Sequence, residues 1–180
     1  MSGLFKIIAV IYLSIIFITG FIGFFYSGTT TISSSSQIES PKTVVWRTLI
    51  NPHKIPKWDT DIQHVKVEGR NLIRDGAIIF YYLNTPFAEV GLKEKVVYFN
   101  PEIKLSLLDI LNKRSMLQNK FIKEFILKTL LDGSTEITLL TSYQSASFFV
   151  KIFDRIYLRR HIDYKSTKKL KYFKRLIENS

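Results

Sequence analysis

Between Asp61 and Tyr143 apolar residues recur with a period of two, and turn signals break the alternation at short intervals. "DIQHVKVEG" ends at Gly69, "GAIIFYYLN" runs into Thr85-Pro86, and "FAEVGLKEKVVYF" stops at Asn100-Pro101. "IKLSLLDIL" ends in the turn "NKRS". "MLQNKFIKEFILKTLL" then leads to Asp132-Gly133, the strongest hairpin signal in the chain, and "STEITLLTSY" follows. This order predicts a meander of about six antiparallel strands. In the last of them Ile137, Leu139, Thr141 and Tyr143 share one face, and Glu136, Thr138 and Ser142 the other. From Ser147 to Glu178, by contrast, no Pro or Gly interrupts the chain. Phe149, Ile152, Phe153, Ile156, Tyr164, Leu170, Phe173 and Ile177 recur there at helical spacing, which predicts one long C-terminal helix with a candidate break near residues 161–166. The fold class is therefore α+β. The final helix is the only element long enough to cover the concave face of a curved sheet, and one helix does not fill such a face, so a cavity is expected.

Ahead of the meander, "TTTISSSSQIES" suits either a flexible linker or an edge strand, and its β-branched residues leading into Ile38 favour the strand. Ser40 followed by Pro41 reads as a helix start, and Asn51-Pro52 as its end. Val45, Trp46, Leu49 and Ile50 share one face of that short helix, so Trp46 is expected to bury its ring against the sheet.

The first residues are of another kind. From Leu4 to Tyr26 the only charge is Lys6. An apolar helix of about 20 residues spans a bilayer core, so a retained single-pass anchor over residues 1–27 is expected, with a helix-bearing domain over 28–180. A cleaved signal peptide is the rival reading, disfavoured by the length of the run and by bulky Phe25 near the best cleavage site. Lys6 and the terminal amine precede the run, and residues 27–41 hold no Lys or Arg, so the positive-inside rule favours an extracytoplasmic domain.

The stretch linking helix to meander carries a resemblance. Ile38, Pro41, Val45 and Trp46, then Leu49, Pro52, Ile55, Pro56, Lys57 and Trp58, resemble the start of the START-like (SRPBCC) helix-grip superfamily, in its polyketide cyclase/dehydratase-like branch. "NPHKIPKW" is similar to the "D-x-x-x-x-P-x-W" stretch of those proteins, with Asn51 where they usually carry aspartate. The resemblance implies a seven-stranded sheet wrapped around the C-terminal helix and a hydrophobic pocket. It also implies binding of lipids, sterols, polyketides or other apolar molecules, or in some members cyclisation or dehydration. Trp46 then looks like a packing residue and Trp58 like part of the cavity mouth.

Dedicated chemical motifs are sparse. The chain has no cysteine, which excludes disulfides and thiol chemistry, and no glycine-rich phosphate loop. His53, His64 and His161 lack metal-site spacing, so no metal and no cofactor are expected. Asp59 and Asp61, His53 and Tyr143 are the candidate acids and bases if the protein is an enzyme, although carboxylates near a loop end are more often turn residues. For the ligand-binding reading the candidates are Trp58, Phe80, Tyr82, Tyr143, Phe149, Ile152, Phe153 and Ile156. Val90, Leu92, Leu107, Phe121 and Leu139 complete the apolar set, and Asp109 and Asn119 are further polar members. Such a set serves equally well as ordinary core. The net charge is +11, of which residues 145–180 carry +7. Arg159, Arg160, Lys168 and Lys169 in that stretch are either a solvated helix face or a contact for anionic headgroups. Nucleic acid is not an expected partner, because no recognition signature accompanies the charge. The expected partners are a lipid bilayer and a hydrophobic small molecule or lipid. The expected function is a membrane-anchored binding domain, with a cyclase/dehydratase-like enzyme or a non-catalytic partner module as alternatives.

Overall fold

The computed structural model describes residues 3–25, 29–69, 72–83, 91–110, 118–145 and 148–179. Among the described residues seven strands form one antiparallel sheet: β1 (Thr29–Ile38), β2 (Ile62–Val67), β3 (Ile78–Leu83), β4 (Leu92–Asn100), β5 (Lys104–Asp109), β6 (Gln118–Thr129) and β7 (Thr135–Ser145). Their spatial order is β1-β7-β6-β5-β4-β3-β2, a meander whose last strand pairs with the first. Register shifts at Ile62/His64, Val96/Tyr98 and Gln118/Phe121 mark bulges, which add twist and bend the sheet. At the Asp132-Gly133 turn Gly133 takes φ 80°, and the Asp132 carboxylate accepts both the N–H and the hydroxyl of Ser134.

The threonine and serine-rich segment is the edge strand β1, paired with β7 along its whole length. Its outward hydroxyls bond across the ladder, Thr31 to Ser142 at 3.1 Å and Ser35 to Thr138 at 2.9 Å. Its inward positions Ile32, Ser34 and Ile38 are buried, and the small Ser34 leaves room for the C-terminal helix, whose Asp163 accepts its hydroxyl at 3.1 Å. After β1 come α2 (Lys42–Leu49) and α3 (Ile55–Trp58). Pro41 itself takes the N-cap position of α2, while the carbonyl of Ser40 accepts the Thr135 hydroxyl at 2.8 Å. Trp46 is buried, with Phe99 of β4 at 5.4 Å between ring centres.

The C-terminal segment consists of α4 (Phe148–Phe153), a π-helical stretch (Asp154–Leu158) and α5 (Arg159–Glu178). The irregularity thus falls before residues 161–166, where α5 is continuous. Its cause is local: Asp154 is buried and receives the hydroxyls of Tyr143 and Thr30, and the widened turn accommodates that inward carboxylate. Leu170, Phe173 and Ile177 of α5 pack on the inner face of the sheet, in one core with Val45, Trp46, Leu49, Trp58 and the inward residues of β2–β7.

At the other end lies α1 (Gly3–Phe25). Among the described residues no helix is long and apolar enough to cross a membrane. The expected anchor is corrected accordingly. The single-pass membrane localisation, the extracytoplasmic domain and the bilayer partner that depended on it lose their support.

Candidate ligand-binding cavity

Between the inner face of the sheet, α3 and α5 lies a cavity of about 540 Å³. Its sheet wall is apolar, with Leu83 of β3, Leu92 of β4, Leu105 and Leu107 of β5, Phe125 of β6 and Leu139 of β7. Period-two alternation places these side chains inward, and the bends of the sheet hold them apart. Ile55 and Trp58 of α3 and Ile162 of α5 close it from the other side. Trp58 stands edge-on to Phe125 (6.3 Å) and to Phe173 (5.2 Å), so it joins sheet to helix while bordering the cavity.

Charge enters this wall in pairs. Lys123 of β6 donates to Glu94 of β4 at 2.6 Å, with the Glu94 side chain only 3% exposed. Burial pulls the Lys123 ammonium down, but the charge and hydrogen bond of Glu94 outweigh it and hold its pKa above the ordinary value. Beside them, burial and then the charge of Glu94 push the Tyr81 phenol well above its usual range. At the helix side Lys169 bonds Asp59 at 2.6 Å and Lys165 bonds Asp61 at 2.7 Å. The Lys165 hydrogen bond holds the Asp61 carboxyl below the usual carboxylate value. Asp109 and Thr141 also border the cavity.

The residues expected to line a pocket are distributed differently. Trp58 borders the cavity. Phe80 and Tyr82 lie on the outer face of β3, under Lys93 (4.9 Å) and beside His64 (5.6 Å), while Ile79 and Tyr81 are buried inside. Tyr143 is inward and buried but outside the cavity, stacked on Phe121 and bonded to Asp154, and burial, then the Asp154 bond, raise its phenol pKa. Phe153 and Ile156 are exposed, Phe153 tilted against Tyr157, because the π-helical stretch turns Asp154 inward in their place. The side chains of Phe149, Ile152 and Asn119, and Val90, lie outside the described residues. The helix residues that do reach the cavity, His161, Ile162, Lys165, Ser166 and Lys169, follow the i, i+3, i+4 face of α5.

The expected basic surface divides in the same way. Arg159 and Arg160 are exposed and Lys168 lies over Tyr172 at 5.8 Å, whereas Lys169 faces the cavity. Of the candidate acids and bases, Asp59 and Asp61 border the cavity, His53 is exposed in the turn before α3, and Tyr143 is elsewhere. Tyr81, Glu94 and Lys123 escaped the sequence reading. Their signal was phase: Glu94 falls in step with inward Leu92 and Val96, and Lys123 with inward Phe121, Phe125 and Leu127. Opposite charges at inward positions of two strands mark a buried pair.

No protein-family model and no curated protein matches the chain by sequence. Its fold, however, matches solved structures over most of its length. An aromatase/cyclase, Zhui from Streptomyces sp. R1128, superimposes with a TM-score of 0.66 at 11% identity, covering 84% of this chain and 94% of that one. Norcoclaurine synthase from Thalictrum flavum, in complex with dopamine and hydroxybenzaldehyde, gives 0.65 at 14% identity, covering 88% and 91%. The protein Ara h 8.0201 gives 0.63 at 13% identity, covering 85% and 100%. With the sheet order and the helix position seen here, these likenesses establish that the chain adopts the helix-grip fold, an antiparallel sheet closed over a C-terminal helix.

Proposed function

We propose that this chain binds a small, largely apolar molecule in the cavity between its sheet and α5. The observation that carries this reading is a wall of six aliphatic and aromatic side chains from five strands left unfilled around about 540 Å³. That volume lies within the roughly 300–1,000 Å³ typical of small-molecule sites. Protein interiors are otherwise close-packed, so a void of this size forgoes dispersion contacts and favours occupation.

An enzyme of the cyclase or dehydratase type is the second reading, favoured by the Glu94–Lys123 pair in the wall and by the cyclase and synthase among the structural neighbours. It ranks lower because the chemistry it needs is committed elsewhere. Lys123 is held protonated and offers no free amine near neutrality, and Asp59 is bonded to Lys169.

Native mass spectrometry of the full-length chain, followed by organic extraction, tests the proposal. A discrete apolar adduct is expected, lost in Trp58→Ala and retained in Phe153→Ala, which lies outside the cavity. A clean unliganded mass from several preparations, with no apolar probe taken up on addition, would overturn it.

A further inference from the structure

Three buried polar side-chain atoms have no hydrogen-bond partner among the described residues: Nε1 of Trp58, Oδ1 of Asp59 and Oε2 of Glu94. Their residues are 5%, 5% and 2% exposed, and all three border the same cavity. Buried polar groups are rarely left unpaired, since each costs about 1–3 kcal/mol, and more when charged. Three such atoms on side chains that line one space call for a polar partner in what enters it.

The cations are already committed. Lys123, Lys165 and Lys169 border the cavity, and each is bonded to a carboxylate at 2.6–2.7 Å. His161 is exposed and stacked on Tyr157 at 5.6 Å. Among the unpaired atoms an incoming group therefore meets two carboxylate oxygens, each on a side chain already paired with a lysine, and one neutral donor. No cavity-lining ammonium among the described residues lacks a carboxylate partner.

Resting on the binding reading above, we infer that the cavity selects an apolar molecule that carries a hydrogen-bond donor, an alcohol or an amine, and discriminates against apolar anions. A hydroxyl donates to Asp59 or Glu94 and accepts from Trp58, so it satisfies atoms of both kinds. An ammonium brings three N–H donors and so supplies both acceptors. Of the three unpaired atoms a carboxylate engages only the indole N–H, and it leaves both carboxylate oxygens without a donor.

The test is calorimetric titration of the full-length chain with dodecan-1-ol, dodecylamine, methyl dodecanoate and dodecanoate at about pH 8, where the amine is protonated and the acid ionised. These probes share one chain and differ at the polar end. The alcohol and the amine are expected to bind at least about tenfold tighter than dodecanoate, with the acceptor-only ester in between. Asp59→Asn is expected to narrow the ratio of amine to acid by about fivefold. If the acid or the ester matches the tighter of the alcohol and the amine, the inference falls while the binding reading stands. If no probe binds, both fall. The wild-type ranking decides the matter even if Asp59→Asn does not fold.

Discussion

Glu94 and Lys123 illustrate how a single residue in this sheet is decided by its neighbours. Each alone is a charge at an inward strand position, and only their 2.6 Å contact makes the two tolerable there. Lys123→Met leaves Glu94 buried without its partner and is expected to cost about 3 kcal/mol in urea denaturation. Lys123→Met with Glu94→Leu is expected to recover most of that loss, because two apolar groups replace a complete ion pair. A double variant as unstable as the single one would show the residues acting independently. Since Lys123 has a raised folded pKa, the pair's contribution is complete below the unfolded value of about 10.4 and is lost only as pH rises through the folded value. Asp61 behaves oppositely. Its folded pKa is depressed by Lys165, so its contribution is present above about pH 3.9 and lost as pH falls through the folded value. Its side chain is 42% exposed and screened, which limits the effect to under about 1 kcal/mol. Asp61→Asn is therefore expected to lower Tm slightly near neutrality and to lessen the further loss of Tm below about pH 4, measured by thermal melts across that range.

At the scale of elements, what the sequence made legible depended on whether a strand has one apolar face or two. In β7 the alternation is clean, and Ile137, Leu139, Thr141 and Tyr143 are all buried on the predicted face. In β3 every residue of "IIFYYL" is apolar or aromatic, so period alone does not choose a face. The choice is made across the ladder, where Lys93 and His64 cover Phe80 and Tyr82 from outside. The C-terminal helix shows a different limit. Its apolar spacing assumed a constant 3.6 residues per turn, and the π-helical stretch breaks that phase, which exposes Phe153 and Ile156 and buries Asp154. Asp154 therefore ties the helix to β7 and β1 through Tyr143 and Thr30. Tyr143→Phe removes the donor and strands one carboxylate oxygen, so it is expected to destabilise the fold by about 1–3 kcal/mol. Hydrogen exchange is expected to rise first around residues 150–160. Uniform weakening across the sheet would instead show that Tyr143 acts by packing alone.

For the whole molecule, the same architecture sets stability against binding. A sheet bent by bulges and spanned by one helix encloses more volume than its side chains fill, and the folded chain tolerates the void because a ligand can restore the missing contacts. Leu107 lies on the central strand β5, 4% exposed and bordering the cavity. Leu107→Trp would place an indole in that space, replacing ligand contacts by internal ones. If the void is the binding site, the variant is expected to keep or raise its unliganded stability by up to about 1 kcal/mol, as cavity filling commonly does. It is also expected to lose the rise in Tm that a saturating probe gives the wild type, about 2.7 kcal/mol at one hundred times Kd. The two readings must move together. A variant that loses several kcal/mol would show that the cavity is smaller in solution than the structure places it. A variant that is stable yet still stabilised by the probe would move the binding site away from the space between the sheet and α5.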